Sequence, residues 1–208
     1  MAPATVFPYC AIDFETTGSV PGFRNEPWQI GAVAVAPDGG VERARRVESL
    51  LRVDPGRPFN KWAPGRHGEL RREIAASPTL AEFWPEVAPL MELPLVAHNA
   101  GTERSILAAA APLHRPALWI DTLALSRLVW PDAPSYALED LAPALGLAPR
   151  LGSVCPGRGP HDALYDAFAC ALVLETVCSL PGWSGLDAER LCALCSGPDT
   201  VRKKNRRS

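Results

Sequence analysis

Asp13 and Glu15 stand two residues apart at the end of an apolar run, Tyr9-Cys10-Ala11-Ile12, that reads as a short buried strand closed by a turn at Gly18. Side chains alternate along a strand, so both carboxylates leave the same face, about 6.5 Å apart. Two acids at a buried strand end repel each other and resist desolvation. A hard divalent cation with oxygen ligands relieves both problems. Asp-x-Glu alone equally fits a half-exposed strand whose outer face carries two acids.

Two further stretches offer partners. In Leu95-Val96-Ala97-His98-Asn99-Ala100-Gly101-Thr102-Glu103, the acid falls in the first turn of an Ala-rich helix. Unpaired amides and the helix dipole favour an acid there, which by itself accounts for Glu103. In His161-Asp162-Ala163-Leu164-Tyr165-Asp166, a histidine stands where a Gly- and Pro-rich loop meets a long helix. Asp166 lies inside that otherwise apolar helix, where Asp has low propensity and needs a reason, unless Asp162, Asp166 and Glu175 merely form a polar stripe.

The elements that must position these residues follow from the pattern along the chain. After the first strand, Trp28 to Val35 reads as a second, and the turn signal Pro37-Asp38-Gly39-Gly40 predicts a hairpin into an edge strand over Val41 to Val53. Short helices are expected near Glu69 to Ala75 and after Ser77-Pro78. Leu93 to Ala97 and Leu118 to Ile120 read as short strands, each followed by a helix. Tyr136 to Leu145 reads as a helix, Gly152 to Pro160 as a mobile loop, His161 to Leu180 as a long helix and Leu186 to Cys195 as the last. Antiparallel strands followed by strand–helix alternation predict an α/β layered fold with a mixed sheet. Ligand sites in such folds lie beyond the carboxyl ends of the strands, where Asp13, Glu15, His98, Asn99 and Asp121 all fall.

Taken together, Asp-x-Glu-Thr-Thr-Gly, then His-Asn-Ala-x-x-acid, then His-x-Ala-x-x-Asp-Ala resemble, in this order, the DEDDh 3′–5′ exonuclease family of the ribonuclease H-like fold. Gln29-Ile30-Gly31-Ala32-Val33, Asp121-Thr122-Leu123 and Tyr136-Ala137-Leu138-Glu139-Asp140-Leu141 also look like the family, and the resemblance runs from about Pro8 to Leu180. It implies a ribonuclease H-like sheet flanked by helices and a metal-dependent hydrolase that releases nucleoside monophosphates from single-stranded 3′ ends, DNA favoured. The alternatives are an RNA-trimming exoribonuclease and a non-catalytic nucleic-acid-binding or polymerase-docking subunit on the same fold. By the resemblance, Asp13, Glu15 and Asp166 are ligands of two Mg²⁺ or Mn²⁺ ions, and His161 is the general base. Phe14 and Thr17 match where the family grips the terminal nucleotide. His98 and Asn99 match the family too, and here they read as hydrogen-bonding the loop that positions Glu103. The family's Asp and its preceding aromatic are replaced by Glu103 and Thr102. Glu103 therefore stands between two roles, ligand of the second metal and helix cap.

Composition sets the frame. The 208 residues are 47% hydrophobic and 21% charged, which suits one domain with a sizeable core, and no run approaches the roughly 20 apolar residues of a membrane span. We expect a single exonuclease domain over residues 1–197 and a disordered basic tail over 198–208. The N-terminus lacks a signal-peptide pattern, and six cysteines without tight spacing, Cys192-x-x-Cys195 included, suggest reduced thiols and a cytoplasmic protein. His67 and His114 read as surface histidines. The net charge is −2, yet Arg202, Lys203, Lys204, Arg206 and Arg207 crowd the end of the chain, leaving 16 basic and 23 acidic residues over 1–201, a net of −7. A polyanionic strand must approach such a body through metal ions or local basic patches.

Overall fold

The computed structural model describes residues 5–37, 39–116 and 118–196, and the tail expected over 198–208 lies outside them. Five strands form one mixed sheet in the order β3-β2-β1-β4-β5. Strand β1 (Tyr9–Thr16) pairs antiparallel with β2 (Pro27–Val35), which pairs antiparallel with β3 (Arg45–Leu50). On its other side β1 runs parallel to β4 (Leu95–Ala97), and β4 parallel to β5 (Trp119–Asp121). The helices are α1 (Arg71–Ala76), α2 (Leu80–Val87), α3 (Gly101–Ala110), α4 (Thr122–Val129), α5 (Leu138–Ala144), α6 (Ala148–Val154), α7 (Ala163–Ser179) and α8 (Ala188–Cys195).

Alternation along β1 sorts its side chains into two apolar layers. Tyr9 and Ala11 join Val33, Val35, Val96 and Ile120 against α7. Cys10, Ile12 and Phe14 join Ile30, Ala32 and Leu95 against α2 and α3, through Leu80, Val87, Ile106 and Leu107. Burial on both faces is why β1 and β4 read as continuous apolar runs. Helix α7 is buried on nearly every side, which matches its almost uninterrupted apolar sequence. It presses closest against β2 at Gly31, where a Cβ would overlap the carbonyl of Ala163 and the amide nitrogen of Leu164.

The structure departs from the sequence pattern in four places. The stretch read as one edge strand from Val41 begins as a 3₁₀ turn, Val41–Arg43, because buried Val41 donates its N–H to Glu175 Oε1 of α7 at 2.9 Å. Pairing starts only at Arg45. The loop expected over Gly152 to Pro160 is in its first part helix α6. Leu147, Leu151 and Cys155 recur at i, i+4 and i+8 on its buried side while Gly152 faces solvent. The rest is pinned by Arg158, whose Nη1 reaches Glu48 at 2.6 Å and Asp162 at 3.0 Å. The long helix starts at Ala163, two residues later than expected, with Asp162 as its cap and His161 outside it. His67, read as a surface residue, is buried, with its ring stacked 5.1 Å from Phe59 and Nε2 3.2 Å from the Ala63 carbonyl. Among the described residues no helix is long and apolar enough to cross a membrane.

Candidate active site

The carboxyl end of β1 presents Asp13 opposite Gly31 and Glu15 opposite Gln29, with an irregular register between Glu15 and Thr16. Both acids leave the face that α7 covers, and because Gly31 has no side chain, the first turn of α7 can close over them. Asp162 caps that turn by accepting from the Tyr165 amide at 3.2 Å and is itself held by Gln29 Nε2 at 3.3 Å and by Arg158. Asp166, on the same turn, accepts the His161 amide at 2.9 Å. Glu15, His161 and Asp166 each bring one ligand atom within 4.8 Å of the others.

Glu103 enters from α3 and is only 4% exposed. Its Oε2 is buried without a hydrogen-bond partner. The loop before it is fixed by Asp121, which accepts from the amides of Asn99 at 3.0 Å, Ala100 at 3.2 Å and Leu123 at 3.0 Å, so one carboxylate organises the ends of both β4 and β5.

The electrostatics of this cluster are lopsided. Burial, then repulsion from Asp166, Asp162 and Glu103, pushes Glu15 up to about 8. Burial raises Glu103 to about 7. Asp166 rises to about 6, burial outweighing the hydrogen bond from the His161 amide. Desolvation followed by repulsion from Asp166, Glu103 and Glu15 carries Asp13 well above the usual carboxylate range. Among the described residues no Lys or Arg forms an ion pair with any of these four acids. A donor set made of carboxylate oxygens, with the Glu103 Oε2 atom left without a partner, fits hard divalent cations.

The other residues singled out in the sequence fall nearby in different roles. Phe14 points away from the acids and is packed in the layer against α2 and α3, so only its backbone borders the site. Thr17 is fully buried. Its hydroxyl donates to Asn25 Oδ1 at 3.2 Å and accepts from the Glu26 amide at 3.1 Å and Arg57 Nη2 at 3.4 Å. That hydroxyl organises a loop and is not open to a ligand. His98 is likewise engaged on both ring nitrogens, Nδ1 with Thr122 Oγ1 at 3.0 Å and Nε2 with the Tyr136 carbonyl at 2.7 Å. Burial lowers its pKa, so it stays neutral. Asn99 has an exposed side chain and a left-handed backbone with φ 65°.

A groove of about 660 Å³ opens beside α3, between Thr102 and Ile106 on one wall and Arg24, Asn25 and Pro27 on the other, with Arg52 at its edge. Next to it two loops are locked together, Asn60 donating from its amide to the Thr17 carbonyl at 2.8 Å and from Nδ2 to the Ser19 carbonyl at 3.1 Å. These loops hold up Phe23 (51% exposed), with the Arg57 guanidinium 5.2 Å from its ring, and Trp62 (80% exposed), with Lys61 Nζ 4.8 Å from its ring. Gly65 of the same segment, at φ 89°, approaches Glu15 so closely that a Cβ would lie 3.3 Å from its Oε2.

Comparison with known proteins decides the family. The model of the RNase_T exonuclease family matches residues 10–174, most of the chain. The chain belongs to this exonuclease family. No curated protein matches it. Among solved structures, Exonuclease X in complex with 5′-overhanging duplex DNA is 27% identical, covering 90% of this chain and 99% of its own, with a TM-score of 0.64. The nuclease domain of 3′hExo, a DEDDh family member bound to rAMP, is 19% identical over 83% of this chain and 92% of its own, with a TM-score of 0.64. Pop2p of S. pombe, in a form with Mg²⁺ and Mn²⁺ bound, is 14% identical over 88% of this chain and 87% of its own, with a TM-score of 0.61. The α/β sheet described above is thus the ribonuclease H-like fold, and the chain is of the DEDDh type.

Within the exonuclease, three residues that the sequence analysis quoted without a role prove to be supports of the site. Asp121 could have been found as a helix cap, because an Asp between a strand and Thr-Leu-Ala-Leu is an N-cap signal. Gln29, which ties β2 to the α7 cap, and Glu139, which lies 2.8 Å from His161 Nε2, fall in stretches that resemble the family, but no local pattern signals their contacts. Both contacts join residues far apart in the chain.

Proposed function

We propose that this exonuclease is divalent-metal-dependent and removes nucleoside monophosphates from single-stranded 3′ ends, with DNA preferred. The observation that carries the reading is the convergence of Asp13, Glu15, Glu103 and Asp166, all held above their ordinary pKa and, among the described residues, without a Lys or Arg partner, beside His161. These four acids would hold two Mg²⁺ or Mn²⁺ ions, with Asp13 between the others. Bound there, such ions polarise the phosphodiester and stabilise charge on the attacking and leaving oxygens. His161, at the mouth of the site, accepts a proton from the attacking water at a ring nitrogen. The groove beside α3 would take the strand next to these acids, and Arg24 and Arg52 in its lining offer charge for phosphates. Trp62 and Phe23, each with a cation over its ring, supply stacking surfaces of the kind that track single strands.

The DNA preference is supported by the relative with 27% identity, which was solved with DNA. An mRNA stem-loop and rAMP accompany relatives of 16% and 19% identity. No polymerase partner is carried forward, since the relatives' ligands are nucleic acids and a nucleotide. The test uses purified protein with 3′- and 5′-labelled DNA and RNA oligomers, with Mg²⁺, with Mn²⁺ and with chelator. Stepwise shortening of 5′-labelled single-stranded DNA, abolished by chelator and faster than on RNA, is the expected outcome. Metal-independent cleavage, or none with either ion, removes the proposal.

A further inference from the structure

A second cavity, of about 200 Å³, lies apart from the acidic cluster, in the segment that joins β3 to α1. Three guanidinium groups line it, Arg52, Arg57 and Arg71, among the apolar side chains of Val53, Phe59 and Ile74. Val53 and Ile74 are buried with Trp28, and Phe59 packs against them, so the cavity has a fixed apolar base. The segment itself is basic. Six Lys or Arg stand from Arg52 to Arg72 against two acids, Asp54 and Glu69, in a chain whose net charge is −2.

Of the three guanidinium groups, that of Arg57 is buried, the residue being only 7% exposed. Among the described residues no carboxylate lies within ion-pair distance of it or of Arg71. Arg57 Nε is buried with no hydrogen-bond partner, and Nη2 donates to Thr17 Oγ1 at 3.4 Å. The Phe23 ring, 5.2 Å from the guanidinium carbon, offsets part of the cost of burial. A buried cation without a counter-charge is costly, and an anion in the cavity removes that cost. Arg71 is held 3.8 Å from the Phe59 ring, while Arg52 is met by Glu82 at 3.0 Å. The one acid in the lining, Asp54, is engaged by its own turn, Oδ1 accepting the Gly56 amide at 2.7 Å.

We propose that this cavity binds a backbone phosphate of the nucleic-acid strand, other than the phosphate being cleaved, with Arg57 and Arg71 as its donors. The choice of a strand as ligand rests on the exonuclease reading above. Planar guanidinium groups present paired N–H donors that match phosphate oxygens. Arg52 lines both this cavity and the groove beside α3, so the two adjoin and one strand can occupy both. Through Thr17, Arg57 is tied to the loop that leaves β1 just after Glu15. A strand anchored at this cavity is held by a phosphate apart from the reacting atoms, which favours long strands over short ones.

The experiment measures binding of fluorescein-labelled decathymidylate by anisotropy, in chelator so that nothing is cleaved. The intact protein is compared with Arg57→Gln, Arg71→Gln and Arg72→Gln, the last an exposed residue of α1 outside the cavity. A matching set of decathymidylates carries a neutral methylphosphonate in place of one internal phosphate at a time. Expected is roughly tenfold weaker binding for Arg57→Gln and for Arg71→Gln. The log–log salt slope should fall by about 0.7, the share of one phosphate contact on a single strand. Arg72→Gln should bind within about twofold of the intact protein. At one internal position the methylphosphonate should weaken binding to the intact protein and add little to either cavity variant, because it removes the same contact. Equal weakening in Arg72→Gln overturns the proposal, as does the absence of any position whose methylphosphonate loses its effect in the cavity variants. Inorganic phosphate is the other source of the same chemistry. If it raises Tm of the intact protein but not of Arg57→Gln, while strand binding is alike in both, the cavity serves free phosphate and the strand assignment is overturned. Should Arg57→Gln fail to fold, Arg71→Gln and its methylphosphonate set decide. Binding is read without metal, so a protein that shows the coupling but no metal-dependent hydrolysis keeps the phosphate site and loses the activity proposed above.

Discussion

The four unpaired acids predict how stability responds to pH and to metal, with a sign opposite to ordinary acid denaturation. Glu15 near 8, Glu103 near 7 and Asp166 near 6 all bind protons in the folded chain at pH values where the unfolded chain has released them. A raised carboxyl pKa gives stability that is present at low pH and lost as pH rises through the folded value. The loss begins near the ordinary carboxyl values of about 4 and is complete for Asp166 by about pH 6, for Glu103 by about 7 and for Glu15 by about 8. At about 1.4 kcal/mol per pH unit per proton, the three together lower stability by about 4 kcal/mol between pH 6 and pH 8. For a chain of this size that is on the order of 10 °C in Tm. Divalent ions compete with those protons, so saturating Mg²⁺ or Mn²⁺ should flatten the slope and raise Tm most at pH 8. The assay is thermal unfolding followed by circular dichroism at pH 6, 7 and 8, in chelator and in millimolar Mg²⁺. A Tm that is flat or rises from pH 6 to 8 in chelator refutes the electrostatic argument. An equal slope with and without metal refutes the assignment of these acids as ligands.

Other substitutions divide the same site into parts. Glu103→Gln removes a buried charge whose Oε2 has no partner, so stability in chelator at pH 8 should hold or rise. Activity should fall at least tenfold and the Mg²⁺ needed for half-maximal rate should increase, and a drop in stability with unchanged metal response would make Glu103 a helix cap only. His161→Ala should lower kcat by roughly 10²–10⁴-fold, the ordinary share of a general base, while the midpoint of the Mg²⁺ titration stays put. Trp62→Ala should weaken binding of single strands by about 1–3 kcal/mol, the loss of one stacked base, and leave cleavage of a dinucleotide nearly unchanged, which a fluorescence titration beside a turnover assay would read. Gly31→Ala forces β2 and α7 apart, so urea unfolding should show a loss of about 1–3 kcal/mol or more, together with lower activity from displaced Asp162 and Asp166.

How far the sequence could be read depended on whether the deciding interactions were local. The strands β1 and β2 and the body of α7 were legible because apolar periodicity reports burial directly. The 3₁₀ turn at Val41 was not, because the hydrogen bond that makes it comes from Glu175, 134 residues later. Helix α6 was hidden by Gly152 and the Gly- and Pro-rich residues after it, although Leu147, Leu151 and Cys155 carry the helical period once α7 is there to cover them. At the site, the acids and His161 followed from motif order, and strand alternation placed Phe14 on the wrong face for its side chain to meet a ligand. The burial of Thr17 was not legible, since it depends on Asn25, Glu26 and Arg57 folding back over it. Glu139 meets His161 only through the packing of α5 near α7, and no local pattern announces that.

The close approach of α7 to Gly31 has a consequence for the order in which the molecule assembles. The hairpins linking β1, β2 and β3 join neighbours in sequence, and their loops close at small entropic expense. Docking α7 closes a far longer loop, since Gln29 and the Asp162 cap are 133 residues apart, and Tyr9 and Ala171 are 162 apart. Such distant contacts form late in folding. The same docking step brings Asp162 and Asp166 up to Asp13 and Glu15, so electrostatic repulsion is concentrated at the final stage of assembly. Divalent ions held by these acids would therefore act on that stage and not on the sheet that precedes it. They would slow the departure of α7, and with it unfolding, while early hairpin formation proceeds at the rate its sequence sets.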